Sequence, residues 1–221
     1  MKKAFTLLEL VFVIVIIGIL AAVIIPSTKT NPIREASIQL LADIRYTQHL
    51  AMVDDRFDVN DAGWYHELWQ INFTTGGSAS SNHKVAYAIF SDWKNTHTGH
   101  PERDELAKDP LTGKLITGGI TNTVPYNDPD ALERANLGLK YSVGSISFSS
   151  SCMSSGSKRI AFDHLGRPIK GNISSPTNST TLVTAMKFIT ATCNITLFSV
   201  NNDENVTISI EPETGYTHIT S

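Results

Sequence analysis

Residues 1–26 read MKKAFTLLELVFVIVIIGILAAVIIP. Glu9 is out of keeping with its surroundings. It sets a carboxylate near the start of a run otherwise apolar enough for a membrane, and a charge at that depth is costly enough to be kept for a purpose. From Leu10 to Ile25 there is no charged residue, and Gly18 interrupts the bulky run. Counted from Phe5 the run is 21 residues long, close to the roughly 20 that cross a bilayer as a helix. Lys2 and Lys3 precede it and hold that end on the cytoplasmic side, so the bulk of the chain lies beyond the membrane.

Three processing schemes compete for this segment. A secretory signal needs a short apolar core followed by a small-residue cleavage site; Ala21 and Ala22 offer one weakly, but bulky Val23, Ile24 and Ile25 follow. An uncleaved signal anchor fits the length and the charge and leaves Glu9 unexplained. A cut between Ala4 and Phe5 places a new amino group four residues ahead of Glu9. In the third scheme the carboxylate has a cation to pair with, which makes it tolerable in apolar surroundings, and its place in the first turn offsets the helix dipole.

The basic leader, the small residue before Phe5, the run Thr6-Leu7-Leu8-Glu9 and the placement of Gly18 and Pro26 together resemble the class III signal of type IV pilins and type II secretion pseudopilins. The resemblance implies cleavage and N-methylation at Ala4/Phe5 by a prepilin peptidase. It also implies an assembly role for Glu9, facing a neighbouring subunit's amino terminus, and a helix break at Gly18 and Pro26. The family usually carries glycine before the cut, where this chain has Ala4.

After Pro26, Asn31-Pro32 reads as a cap followed by proline at the first helical position. Ile33, Ala36, Leu40, Leu41, Ile44 and Ala51 then fall on one helical face. The sequence therefore predicts one long, interrupted helix over 5–53: a membrane and shaft segment over 5–25 and an amphipathic segment over 31–53. From residue 54 the pattern changes. LWQINF, KVAYAIF, GSISF, RIAF, NITLFSV, NVTISI and YTHI are strand-like runs between turn residues. The expected fold is α+β, a long amino-terminal, partly transmembrane helix packed on an antiparallel sheet domain over 54–221. Residues 91–141, rich in Gly, Pro, Asn and charge, read as a long loop with one brief helical pattern at DPDALERANL; such loops are more often functional or mobile than structural. LLADIRYTQHLAMV, FDHLGRP and ISIEPETGYTHI resemble the GspH/FimT branch of minor pseudopilins and minor pilins, and with the leader this places the resemblance at both ends of the chain.

Composition narrows the chemistry. The formal net charge of −3 provides no global field for nucleic acid, and a small basic cluster of Lys158, Arg159, Arg167 and Lys170 reads as solvated surface. Cys152 and Cys193 are the whole thiol inventory; in an exported domain they read as one disulfide, the alternative being two buried thiols. No nucleophile elbow, P-loop, zincin or dinucleotide motif is present, so an enzyme is not expected. His97 and His100 sit in a glycine-containing loop without a third ligand. No cofactor is expected, and calcium enters only as a weak candidate at Asp109-Pro110 or Asp128-Pro129, whose spacing does not match a calcium loop and which also read as turn starters.

These readings converge on a structural subunit of a type II secretion pseudopilus. It would be anchored once in the bacterial inner membrane with its globular domain in the periplasm, and would work with other pilin-like subunits, prepilin peptidase and an inner-membrane assembly platform. A minor pilin of a type IV pilus or DNA-uptake machine is the near alternative. A signal-anchored periplasmic binding protein with a ligand loop over 91–141 is the alternative from another class.

Overall fold

The computed structural model describes residues 6–24, 31–61, 63–94, 99–173 and 187–220. The chain forms two compact units, Met1–Asn31 and Pro32–Ser221. The first holds helix α1, Leu7–Ile24. Seventeen of its 18 residues are apolar or glycine, so it has no polar face to turn to water.

The second unit begins with α2, Pro32–Val53. Proline at its first position gives up an amide that has no intrahelical partner there. Ile33, Ala36, Leu40, Ile44 and Ala51 are buried on one face. They pack on two antiparallel sheets. The first runs in the order β2 (Val85–Phe90), β1 (Gln70–Thr75), β4 (Arg159–Phe162), β5 (Pro168–Lys170), β6 (Lys187–Phe188). The second runs β3 (Val143–Phe148), β7 (Cys193–Ser199), β8 (Asn205–Ile210), β9 (Thr217–Ile219). Helix α2 touches strands of both sheets, and one core joins its apolar face to Ile71, Tyr87, Ile160 and Phe162 of the first and Ile195, Leu197 and Ile208 of the second. The register Ile89↔Ile71↔Ile160 lines up these side chains on one face. The α+β expectation is met: a helical amino-terminal region is followed by antiparallel sheets.

The stretch between β2 and β3 departs from the loop reading. Its described residues form a layer on the opposite face of β2. Phe90 and Ala88 pack there with Leu106, Leu115, Val124 and Ala131, and Ile116 and Val124 are fully buried. Single-residue bridges hold it: Ala88 pairs with Thr117 and Phe90 with Leu106. Burial on both faces explains the uninterrupted apolar run VAYAIF. The helix expected at DPDALERANL is displaced: a 3₁₀ turn spans Glu133–Ala135, and α3 runs Leu137–Tyr141. Asn136 sets that start, because its side-chain Oδ1 accepts the Leu139 amide at 3.0 Å while its side-chain Nδ2 donates to the Ser81 and Gly118 carbonyls at 3.0 Å each.

Candidate functional site

In α1 the side chains from Leu7 to Leu20 are exposed, Leu7 at 81% and Ile17 at 58%. Glu9 is the one charged residue of the helix. It stands in the first turn, where its amide donates to Thr6 Oγ1 at 3.3 Å and the Thr6 carbonyl accepts from Leu10 at 3.2 Å. Thr6 thus caps a helix whose free amides favour a nearby carboxylate. Ala4, Phe5 and Pro26 lie outside the described residues. Gly18 is described, and there the expectation of a break fails: α1 passes through it unbroken, since glycine lowers helix propensity but keeps the amide that the helical ladder needs. Among the described residues no helix is long and apolar enough to cross a membrane. At 1.5 Å per residue α1 rises about 27 Å, slightly short of a hydrocarbon core of about 30 Å.

In the second unit, the three stretches singled out in the sequence meet on α2. Arg45 donates to the Thr217 carbonyl from Nε at 3.1 Å and from Nη2 at 2.6 Å, with its guanidinium 6.0 Å from the Tyr216 ring centroid. Gln48 Nε2 donates to the carbonyls of Gly166 and Thr214, each at 2.9 Å. It therefore ties the FDHLGRP turn to the EPETG turn. Within the first turn, Asp163 Oδ1 accepts the amides of Leu165 and Arg167 at 3.1 and 2.8 Å, and Oδ2 accepts Arg167 Nε at 2.7 Å. Sequence reasoning missed Gln48; a polar residue beside a buried helical face was its one signal.

The basic cluster is not one open patch. Arg159 is buried, donates to Asn172 Oδ1 at 2.9 Å and to the Gly99 carbonyl, and lies 5.7 Å from the Phe90 ring centroid. Burial lowers its pKa to about 10. Arg167 is held by Asp163 and stacks over Phe188 at 4.6 Å.

A buried ionic group missed in the sequence links α2, β2 and the packed layer. Arg134 Nη2 donates to Asp43 Oδ1 at 3.3 Å and Asp109 Oδ1 at 2.8 Å, and the Tyr87 hydroxyl donates to Asp43 Oδ2. Burial, with the Asp43 charge, pushes the Tyr87 hydroxyl well up. The hydrogen bond from Arg134 holds the Asp109 carboxyl below its ordinary range. Asp109 Oδ2 takes the Thr112 amide and hydroxyl at 3.0 and 2.6 Å. Asp128, the other calcium candidate, is engaged by Arg103, which also reaches Asp130 at 2.7 Å. Both carboxylates therefore face arginines. Among the described residues no cluster of His, Cys, Asp and Glu is arranged to hold a metal ion. His100 is exposed, and His97 lies outside the described residues.

Cys152 and Cys193 form a disulfide, with Cα atoms 4.8 Å apart. It pins the turn after β3 to the start of β7, and both residues are buried.

Residues 1–25 match the prokaryotic N-terminal methylation motif. The chain thus carries a type IV pilin-like prepilin leader, which implies processing by prepilin peptidase and assembly with other pilins. The match covers the leader and the whole of α1, including Ala4, Phe5, Glu9 and Gly18. No curated protein and no solved structure matches the chain.

Proposed function

We propose that this chain is a minor pseudopilin of a type II secretion system. It is cut between Ala4 and Phe5, held in the inner membrane by residues 5–25, and drawn into a short periplasmic filament. The observation that carries the reading is the prepilin leader joined to a helix that exposes apolar side chains all round and bears a single carboxylate in its first turn. Such a helix must be covered by lipid or by other helices. Glu9 then pairs with the amino group of a neighbouring Phe5, which offsets the cost of burying either charge alone. The work is structural, and the globular unit is displayed for other subunits.

The choice of a secretion pseudopilin over a DNA-uptake pilin is supported by charge. Two of the four basic-cluster residues are drawn into internal contacts, so the cluster itself presents little open cationic surface for phosphates. The binding-protein alternative is weakened by the packing of Leu106, Ile116 and Val124 into the core; residues that hold a sheet face are poorly placed to close on a ligand.

The test is a Glu9→Leu chain expressed beside its secretion machinery. Sheared and sedimented filaments should contain the unchanged chain and lack the variant, while membranes hold both. Equal incorporation of the two would refute the pairing.

A further inference from the structure

A cleft of about 280 Å³ opens where the first ends of β2 and β3 face each other. Its walls are the β1–β2 turn (Thr75, Gly76, His83, Lys84), the start of β3 with Gly144, and the β7–β8 turn (Val200, Asn202). The volume lies at the small end of ligand sites and suits one or two residues of an extended chain.

Three observations give the cleft a chemistry. Its lining contains Lys84 and His83 and no carboxylate, and Lys158 reaches its rim, 3.3 Å from Thr75 Oγ1. The β3–β7 register shifts between Val143 and Ser145. That places a bulge at Gly144 inside the cleft, and bulges interrupt regular pairing beside binding sites. Lastly, left-handed backbone concentrates here. Of the six non-glycine residues with positive φ among the described residues, His83 and Asn202 line the cleft, and Asn82 and Ser142 are adjacent to lining residues. Such conformations cost energy and gather at functional positions. Outward-facing backbone of β2 further along the strand is already taken: Gly118 donates to Tyr87 at 2.9 Å and Ile89 donates to Ile116 at 3.0 Å. Beside Val85 at the near end the cleft begins.

We propose that this cleft is a docking site for an acidic, extended segment of a partner protein. The segment lies between the ends of β2 and β3, with its carboxylates on Lys84 and Lys158. The site is independent of the leader and of α1, so it stands or falls apart from the filament reading.

The test uses the full chain in neutral detergent micelles and two fluorescein-labelled, end-blocked probes, Thr-Glu-Val-Glu-Thr-Glu and Thr-Lys-Val-Lys-Thr-Lys, followed by anisotropy. The acidic probe should bind and the basic one should not. Lys84→Glu should weaken binding at least about tenfold, as expected for reversing one partner of a close charge pair. Asn202→Asp, which adds a charge to the cleft without changing shape, should weaken it about threefold or more. Lys108→Glu, an equal charge change at an exposed site outside the lining, should leave affinity within about twofold. An absence of binding, equal binding of both probes, a loss as large in Lys108→Glu as in Lys84→Glu, or displacement by polyphosphate at matched charge would each overturn the proposal.

Discussion

Replacing Gly215 by alanine probes the junction where Gln48 ties the two turns together. Gly215 has φ +64, and a Cβ there would press on the Gly166 carbonyl oxygen and come within 2.5 Å of Gln48 Nε2. Two costs follow. An alanine in left-handed backbone costs about 1–2 kcal/mol. Moving Gln48 aside forfeits two hydrogen bonds, each worth about 0.5–1.5 kcal/mol. The total is about 3 kcal/mol, which in a unit of this size lowers the melting temperature by about 6–12 °C. Gly113→Ala isolates the first cost, because Gly113 has φ +71 and nothing within 4 Å of its Cβ position; it should lower melting by about 2–8 °C. Melting of the full chain in detergent, followed by near-ultraviolet circular dichroism, reads both. In a Gln48→Ala background the excess for Gly215→Ala should shrink without vanishing, since the Gly166 carbonyl still stands in the way. Equal shifts for the two glycine variants would refute the idea that these turns are clamped through Gln48.

Arg134→Met should cost about 3–5 kcal/mol by chemical denaturation, because it leaves Asp43 and Asp109 buried without their shared cation; a loss under about 1 kcal/mol would mean that the pair is solvated. Arg134 holds the folded-state pKa of Asp109 below its unfolded value. The stability it contributes is therefore fully present above the ordinary carboxylate range and is lost as pH falls through the depressed folded value. Urea midpoints taken downward from pH 6 should fall more steeply for the unchanged chain than for Asp109→Asn, and parallel curves would contradict the linkage. Reduction of the Cys152–Cys193 bond, which closes 41 residues, should lower stability by about 4 kcal/mol on the chain-entropy model, measured as the loss of denaturation midpoint in dithiothreitol.

How far the sequence foretold this structure depended on whether a segment's contacts were periodic. Strands β1, β2, β3, β4, β7, β8 and β9 fall in the apolar runs read from the sequence, because each is long enough or sufficiently flanked by turn residues to be recognised. β5 and β6 escaped: one is three residues opening on Pro168, the other two residues long, too short for alternation to register. The layer over β2 escaped for a different reason. Leu106, Leu115 and Val124 take part in single bridges with no fixed spacing and pack in one cluster with Ala88 and Phe90, so their burial is fixed by tertiary contacts and leaves no local pattern. Asp109 reads in sequence as a calcium candidate beside a proline in an acidic segment, but its partner Arg134 is 25 residues away and Asp43 lies 91 residues from that arginine. No local rule joins the three. The leader was legible because cleavage and assembly signals are read by other proteins as linear sequence. The convergence of FDHLGRP and EPETG on Gln48 needed the fold.

The central claim is tested most directly by intact-mass and amino-terminal sequencing of the protein from its native membrane, with and without prepilin peptidase. The account predicts a mature chain that begins at Phe5 when the peptidase is present and at Met1 when it is absent. A chain that begins at Met1 in both cases, or one cut near Ala22, would contradict it and leave Glu9 without the amino group that its assembly role requires.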